Sequence, residues 1–466
     1  MKSIAFILLA SLSSLTGFSQ EITGHWNGIL KIPGTELRLV LNISKTGSGY
    51  SSTMDSPDQG AKGIPVTSTT FANSIFKFEI ASLSVKYEGV LGKDDLIVGN
   101  FKQGSYSSPL NLTKGKVEKT KLIRPQEPAL PYPYHSEDVF FENNAAKITL
   151  AGTLTLPKKE GHFPAVILIS GSGPQNRDEE VMGHKPFLVI SDYLTRNGIA
   201  VLRFDDRGTA LSKGNFSTAT SLEFSTDVEA AVKYIQSRKE IDKNKIGLIG
   251  HSEGGMIAPL VASRSKEISF IILLAGPGIP GDKLLLMQNE LIGKAEGLSD
   301  EVLKKSNIIN KGAYDIAKKS TNMEVLKTDL NAFFKEALKD SVLSNKPTSM
   351  NQNDFIKFHV SQIANPWMIY FLNYNPALAL AKVKCPVLAL NGEKDLQVPA
   401  KENLQAIKMA LTKGGNKNVT VKELPGLNHL FQECKTGSPG GYATIEQTFA
   451  PTALAEISNW VQTQTK

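Results

Sequence analysis

One stretch constrains this chain more than any other: from Lys245 to Ile257 it reads Lys-Ile-Gly-Leu-Ile-Gly-His-Ser-Glu-Gly-Gly-Met-Ile. Residues 246–249 have the length and branching of a buried strand. The run passes directly into Gly250-His251-Ser252-Glu253-Gly254, a G-x-S-x-G pattern, and then into a helix-like segment at 255–263. A serine on a sharp strand-to-helix turn needs a strained backbone and neighbours without side chains, which Gly250 and Gly254 provide. The helix that follows aims its N-terminal amides and positive dipole end at that serine. Five-residue patterns with two glycines also arise by chance and can mark a plain turn. The position between an apolar strand and a helix is what makes Ser252 a candidate nucleophile.

A nucleophilic serine needs a base, and the base needs an orienting acid. Residues 387–391 read as a second buried strand, followed by a loop that carries Asp395, with Glu393 as the competing acid. A helix-like stretch at 399–413 and a short strand at 419–423 come next, and the loop after them ends in His429. No other histidine follows position 359, so chain order leaves His429 little competition. His251 flanks the serine, but its side chain is expected to point away across the turn and to pack. His25, His135, His162, His184 and His359 have no motif around them and take no role.

Read in the order Ser252, Asp395, His429, the three motifs resemble the α/β-hydrolase superfamily. Within it they are similar to EstD-type bacterial carboxylesterases and to the hydrolase domains of prolyl-oligopeptidase-like enzymes, over about residues 138–466. The resemblance implies an α/β-hydrolase fold, a doubly wound and mostly parallel sheet. It also implies an oxyanion hole of two backbone amides. One would be that of Glu253, the residue after the nucleophile. The other would come from the loop Gly171-Ser172-Gly173-Pro174 after the strand at 165–170, from Ser172 or Gly173. That loop departs from the commoner His-Gly-Gly pattern, so the choice between the two stays open, as does a plain glycine-rich turn. The strand at 199–204 ends in Asp205-Asp206-Arg207-Gly208. Family members often carry such a turn beside the elbow, and Arg207 is expected to pair with the Glu253 side chain and support it. The alternative is a solvated surface arginine. No metal or organic cofactor is implied.

At 466 residues the chain is too long for one ordinary core. Its formal charge of +7 is modest for that length, and no basic stripe interleaved with aromatics suggests a nucleic-acid partner. Weak attraction to acidic cell-surface polymers remains open. Residues 1–19 read as a targeting segment: Lys2, a short apolar run at 4–12, and a small-x-small pattern at Gly17-Phe18-Ser19. Export to a periplasm or the outside is the expectation. No segment reaches the roughly 18 apolar residues of a spanning helix, so stable membrane insertion is not expected. The two cysteines, Cys385 and Cys434, fall at opposite ends of their strands. A five-residue strand spans about 17 Å and a disulfide needs Cα atoms within about 7 Å, so both are expected to be free thiols. With no further partners they do not suggest a metal site.

The domain reading rests on texture. Residues 20–118, opening Gly24-His25-Trp26, show short alternating segments between Gly, Ser, Asn and Pro, as in a small antiparallel β-domain. The early Gly-x-Trp looks like the start of lipocalin-like barrels. That domain is accessory or binds a ligand of its own. Residues 119–137, with four prolines, form a linker. Residues 138–279 and 380–466 alternate strands and helices as a hydrolase core. Residues 280–379 break the alternation with helical spacing, as an inserted helical cap would. Near its end Trp367, Tyr370 and Phe371 share a helix face and either line a pocket or pack the cap onto the core.

Three functions compete. An exported carboxylesterase acting on small-molecule or glycan esters leads. A serine peptidase, aminopeptidase or prolyl-oligopeptidase-like, is the alternative, although the chain has no propeller repeats and no Gly-x-Ser-Trp-Gly elbow. The third is a ligand-binding β-domain attached to an idle hydrolase, which the presence of all three triad residues disfavours.

Overall fold

The computed structural model describes residues 21–32, 35–47, 49–57, 61–103, 106–115, 124–339 and 352–466. The targeting segment, the first residues of the linker and residues 340–351 of the expected cap lie outside them. The chain divides into two compact units near residue 120.

The first unit is a ten-stranded sheet built from β1 (Gly24–Ile32), β2 (Thr35–Thr46), β3 (Gly49–Ser56), β4 (Ala61–Pro65), β5 (Ser68–Ala72), β6 (Ile75–Ile80), β7 (Val85–Leu91), β8 (Leu96–Gln103), β9 (Tyr106–Pro109) and β10 (Leu112–Thr113). Its order is β4-β3-β2-β1-β10-β8-β7-β6-β5, with β9 beside β8. The sheet curls until β3 and β5 meet, where Ser52 Oγ and Thr69 Oγ1 are 2.7 Å apart. Alternation sets the two faces: along β7, Val85, Tyr87 and Leu91 turn inward while Lys86, Glu88 and Val90 face out. Trp26, Phe76, Phe78, Tyr87 and Phe101 fill the interior, and the Trp26 indole N–H is satisfied by the Ile22 carbonyl at 2.6 Å. Strands β3, β5 and β9 escape sequence reading because Ser, Thr and Gly are prominent in them, and β4 because Gly63 and Pro65 interrupt its five residues. Pairing with apolar neighbours, not propensity, holds them in the sheet.

The second unit carries an eight-stranded sheet: β11 (His135–Asn143), β12 (Ile148–Leu156), β13 (Phe163–Ile169), β14 (Ala200–Phe204), β15 (Ile241–His251), β16 (Phe270–Leu274), β17 (Val387–Gly392) and β18 (Val419–Leu424). The order is β11-β12-β14-β13-β15-β16-β17-β18. The β11–β12 hairpin is antiparallel and joins β14 antiparallel, and every pairing from β14 to β18 is parallel. Its helices are α1 (Pro186–Arg196), α2 (Ser221–Ser237), α3 (Gly254–Ala262), α4 (Gly281–Ala295), α5 (Asp300–Lys319), α6 (Met323–Ala337), α7 (Gln352–Ile363), α8 (Pro366–Asn373), α9 (Pro376–Leu380), α10 (Ala400–Lys413) and α11 (Pro451–Gln464). On β13, Ala165, Ile167 and Ile169 pack with α2, α3 and α10, while Val166 and Leu168 pack with α1 and α11 on the other face. Both faces being covered explains why these strands read as continuous apolar runs.

Helices α4 to α9 are inserted between β16 and β17. Leu326, Leu330, Phe334, Ile356 and Val360 give them a core of their own. A second cluster, Leu284 and Phe371 against Met256 and Val398, fastens them beside the elbow helix α3 and the loop after β17. Some boundaries differ from expectation. The linker ends earlier than residue 137, because β11 begins at His135 and pairs with β12 along its whole length. Helix α2 begins at Ser221 rather than near Ser225, because Thr220 and Glu223 form a reciprocal capping box.

Cys385 and Cys434 are both free thiols. Burial pushes the Cys385 thiol up to about 11; burial also raises Cys434, but there a backbone hydrogen bond from Gly437 and the charge of Lys394 work against it. A thiol-reactive disulfide reagent is therefore expected to modify Cys434 first in the native protein and Cys385 only on unfolding, as mass mapping of the labelled peptides would report.

Candidate active site

Neighbouring strands β13 and β15 connect in opposite directions through the sheet, which opens a crevice at their carboxyl ends. The Ser252 elbow leaves β15, and the Gly171-Ser172-Gly173 loop leaves β13. Ser252 adopts φ 51°, the left-handed region that costs a non-glycine residue strain. Its amide is held by the Leu274 carbonyl of β16 at 2.8 Å. The glycines around it are obligatory for packing. A Cβ at Gly250 would collide with the Gly254 carbonyl, and one at Gly254 with the Ile169 carbonyl of β13. Gly255, to which the sequence pattern assigns no role, is equally restricted, since its Cβ would lie 2.6 Å from the Gly276 Cα.

Asp395 and His429 meet in the loops after β17 and β18. His429 Nδ1 lies 2.8 Å from Asp395 Oδ2, and both residues are buried. The other Asp395 oxygen accepts the Gln397 and Val398 amides at 2.8 and 2.9 Å, which fixes the carboxylate. Glu393, the competing acid, is exposed and accepts the Gly426 amide instead. Asn428 ties the histidine loop through its own side chain, accepting from the Leu430 and Gln432 amides and donating to Gln432 Oε1. Ser252 Oγ makes no hydrogen bond among the described residues. The Gly171 backbone crosses beside it, so that a Cβ there would stand 3.2 Å from the Ser252 Cβ. The Ser172, Gly173 and Glu253 amides likewise find no acceptor among the described residues, and Gly173 takes φ 94°.

The expected Arg207–Glu253 pair does not form. Arg207 binds Asp227 on α2 at 2.7 and 2.8 Å, and also donates to the Glu223 carbonyl and Thr226 Oγ1. It is buried, so it is not a solvated surface arginine either. Helix α2 offers it a complete set of acceptors, and sequence spacing does not show which carboxylate the turn faces. Glu253 Oε1 instead accepts Ser221 Oγ at 2.5 Å and the Trp367 indole N–H at 2.8 Å. Burial without a cation raises the Glu253 pKa, against the pull of those two donors. Of the three aromatics singled out on α8, Trp367 therefore touches the elbow residue and stacks on Phe371 with centroids 5.1 Å apart. Phe371 packs in the apolar cluster, and Tyr370 stacks on Tyr374 at 5.7 Å.

Two further groups are not legible in the sequence. His251 is buried as a packing residue would be, but both ring nitrogens have polar partners: Glu179 Oε1 at 2.9 Å and the His429 carbonyl at 3.0 Å. Glu179 lies in a polar stretch that gives no hint of folding back under the elbow. The Asp206 residue keeps some exposure, yet its carboxyl is enclosed, with Ser170 Oγ at 2.6 Å and the Gln175 amide at 2.9 Å. Desolvation, added to by Glu253 and Glu179, pushes it up to about 8.

Residues 187–433, more than half of the chain, match the family model described as serine aminopeptidase, S33. The chain belongs to that family of α/β-hydrolases. It is similar to esterase EstD of Thermotoga maritima, 28% identical over 302 residues, which cover 64% of this chain and 62% of that relative's length. Among solved structures, an esterase of Pyrococcus furiosus is 17% identical with a TM-score of 0.42, covering 71% of this chain and 93% of its own. Est1E of Butyrivibrio proteoclasticus, solved with ferulic acid bound, is 17% identical with a TM-score of 0.41, covering 70% and 99%.

Two outcomes test this geometry. Arg207→Met is expected to destabilise the fold by about 3–5 kcal/mol in urea unfolding, because it leaves the buried Asp227 carboxylate without its cation. Arg207 makes no hydrogen bond to the elbow, so the folded variant should keep its reactivity toward a fluorophosphonate probe. The second outcome concerns Asp206, which the native state keeps protonated to about 8 against an unfolded value of 3.8. The unfolded chain therefore releases this proton first, and stability should fall as pH rises between those values. Asp206→Asn copies the hydrogen bonds of the neutral acid and should flatten that slope in unfolding titrations across pH.

Proposed function

We propose that the protein is an exported serine hydrolase that cleaves carboxylic esters of small molecules through an acyl-enzyme intermediate. The observation that carries this reading is the left-handed Ser252 at a strand-to-helix elbow, together with a buried Asp395–His429 pair from two other strand ends of the same sheet. Asp395 occupies Nδ1 of His429, which leaves Nε2 as the nitrogen that takes the Ser252 proton. Ser252 Oγ then attacks the ester carbonyl. The developing oxyanion is received by amides that have no acceptor among the described residues, that of Glu253 and one from Ser172 or Gly173. His429 passes its proton to the departing alkoxide, and water, activated by the same ring, releases the acid. Helices α4 to α9 serve as the cap, with Trp367 and Phe371 on the side that joins the elbow. Glycan esters stay within this substrate class. Export rests on the targeting segment at 1–19, and the β-unit serves an accessory role.

The family's description as serine aminopeptidase favours a second reading, cleavage of aminoacyl amides. The likeness to an esterase and the commitment of the Glu253 carboxyl to Ser221 and Trp367 support esters instead, since that carboxyl is no free anchor for a substrate ammonium.

The test is hydrolysis of p-nitrophenyl esters from acetyl to palmitoyl beside aminoacyl p-nitroanilides. Ester turnover peaking at short chains, and falling by about 10⁴-fold or more in Ser252→Ala and His429→Ala, is expected. Anilide turnover with little ester activity would move the assignment to a peptidase.

A further inference from the structure

Glu179 and His251 take no part in the steps above, yet each is buried and each polar contact reaches a different loop of the site. His251 Nε2 is 3.0 Å from the His429 carbonyl and Nδ1 is 2.9 Å from Glu179 Oε1. The same Oε1 accepts the Gly171 amide at 2.7 Å. A carbonyl oxygen only accepts, so Nε2 carries a proton. Glu179 Oε1 already accepts the Gly171 amide, and as an acceptor toward the ring as well it places a proton on Nδ1 too. Burial by itself would lower the His251 pKa. The Glu179 charge and the hydrogen bonds to Glu179 and the His429 carbonyl outweigh burial and leave it raised.

We propose that Glu179 and His251 form a buried carboxylate–imidazolium clamp that positions the Gly171–Gly173 loop and the His429 loop about the Ser252 elbow. The proposal deepens the serine-hydrolase reading and rests on it for its kinetic consequence. The three segments leave β13, β15 and β18, and β18 is separated from β15 by two intervening strands. Only a contact at the carboxyl end of the sheet can hold the His429 loop in register with the elbow. Glu179 reaches this position through a left-handed backbone, φ 51°, and Phe431, also left-handed at 58°, meets the His251 ring at an edge with centroids 6.4 Å apart. The charged and titratable groups around the pair are Asp395 and the His429 ring, whose centroid lies 4.9 Å from that of His251, with Asp206 on the Glu179 side. The pair is neutral overall. It can stand that close without opposing the positive charge His429 acquires in catalysis. Both are positioning residues, since neither touches the reacting atoms.

The test has two arms. In ¹⁵N-histidine-labelled protein at about pH 8, above the ordinary histidine range, one ring is expected to have both nitrogens protonated, and this signature should disappear in Glu179→Gln and in His251→Gln. A wild-type spectrum there with no doubly protonated ring would overturn the proposal, and this arm needs no activity. In the kinetic arm, Glu179→Gln keeps the side-chain shape but cannot satisfy Gly171, a neutral His251 and the His429 carbonyl together. Its kcat on p-nitrophenyl acetate should fall roughly tenfold to a hundredfold with KM within about twofold. Glu179→Asp, which restores the charge, should recover part of the loss. Glu179→Gln with full kcat and an unchanged melting temperature would also overturn it. If wild-type protein turned over no ester, the failure would belong to the proposed function, and the imidazolium signature would still decide the clamp.

Discussion

At the end of β15 two backbones pass with no space for a methyl group between them. Gly254 lies against the Ile169 carbonyl and Gly250 against the Gly254 carbonyl, so the elbow helix begins in contact with the strand beside it. Everything else in the site takes its position from that approach. The parallel pairing of β13 with β15, in register from Ala165 with Ile246 to Ile169 with Gly250, brings the Gly171 loop next to Ser252. The Leu274 carbonyl on the other side then holds the Ser252 amide while its φ stays positive. The strain at Ser252 is supported by two neighbouring strands, not by the turn alone.

Two of the polar sets around this fixed point contrast with each other. Arg207, Asp227 and Asn143 satisfy one another under α2 and leave the elbow alone. Glu253, Ser221 and Trp367 form the other set, which joins the residue after Ser252 to helix α8 of the insertion. The position of the insertion and the environment of the elbow are thus coupled through one carboxyl oxygen. Such a carboxyl is costly to bury, and holding its proton is the cheaper state where no cation is at hand.

Features set by local periodicity and chain order are legible in the sequence. Residues 165–169, 246–249, 270–274 and 387–390 are continuous apolar runs because helices cover both sheet faces, and Ser252, Asp395 and His429 each follow the end of one strand of the sheet. The same logic fails where pairing is decided across long distances. Nothing in the Asp205-Asp206-Arg207 turn says whether the guanidinium meets Glu253 or Asp227, and the answer depends on a helix that begins at the Thr220 capping box. Nor does Glu179 differ from Asp178 or Glu180 in composition. Only the left-handed turn at Glu179 sends it inward while Glu180 stays more open to solvent. Strands rich in serine and threonine in the first unit are missed for the related reason that their partners, not their own residues, make them strands.

The connector before β11 has a use that its proline content hides. Arg124 donates to the carbonyls of Met182, Gly183, Ala443 and Ile445. Gln126 exchanges hydrogen bonds with Thr448 and Phe449. These carbonyls and amides lie just before α1 and just before α11, outside the strands of the sheet. A fragment of this unit cut at the first sheet residue would leave them unsatisfied and loosen the wall behind the His429 loop. The second unit therefore takes in Arg124, and residues 124–134, which look like spacer, belong to its body.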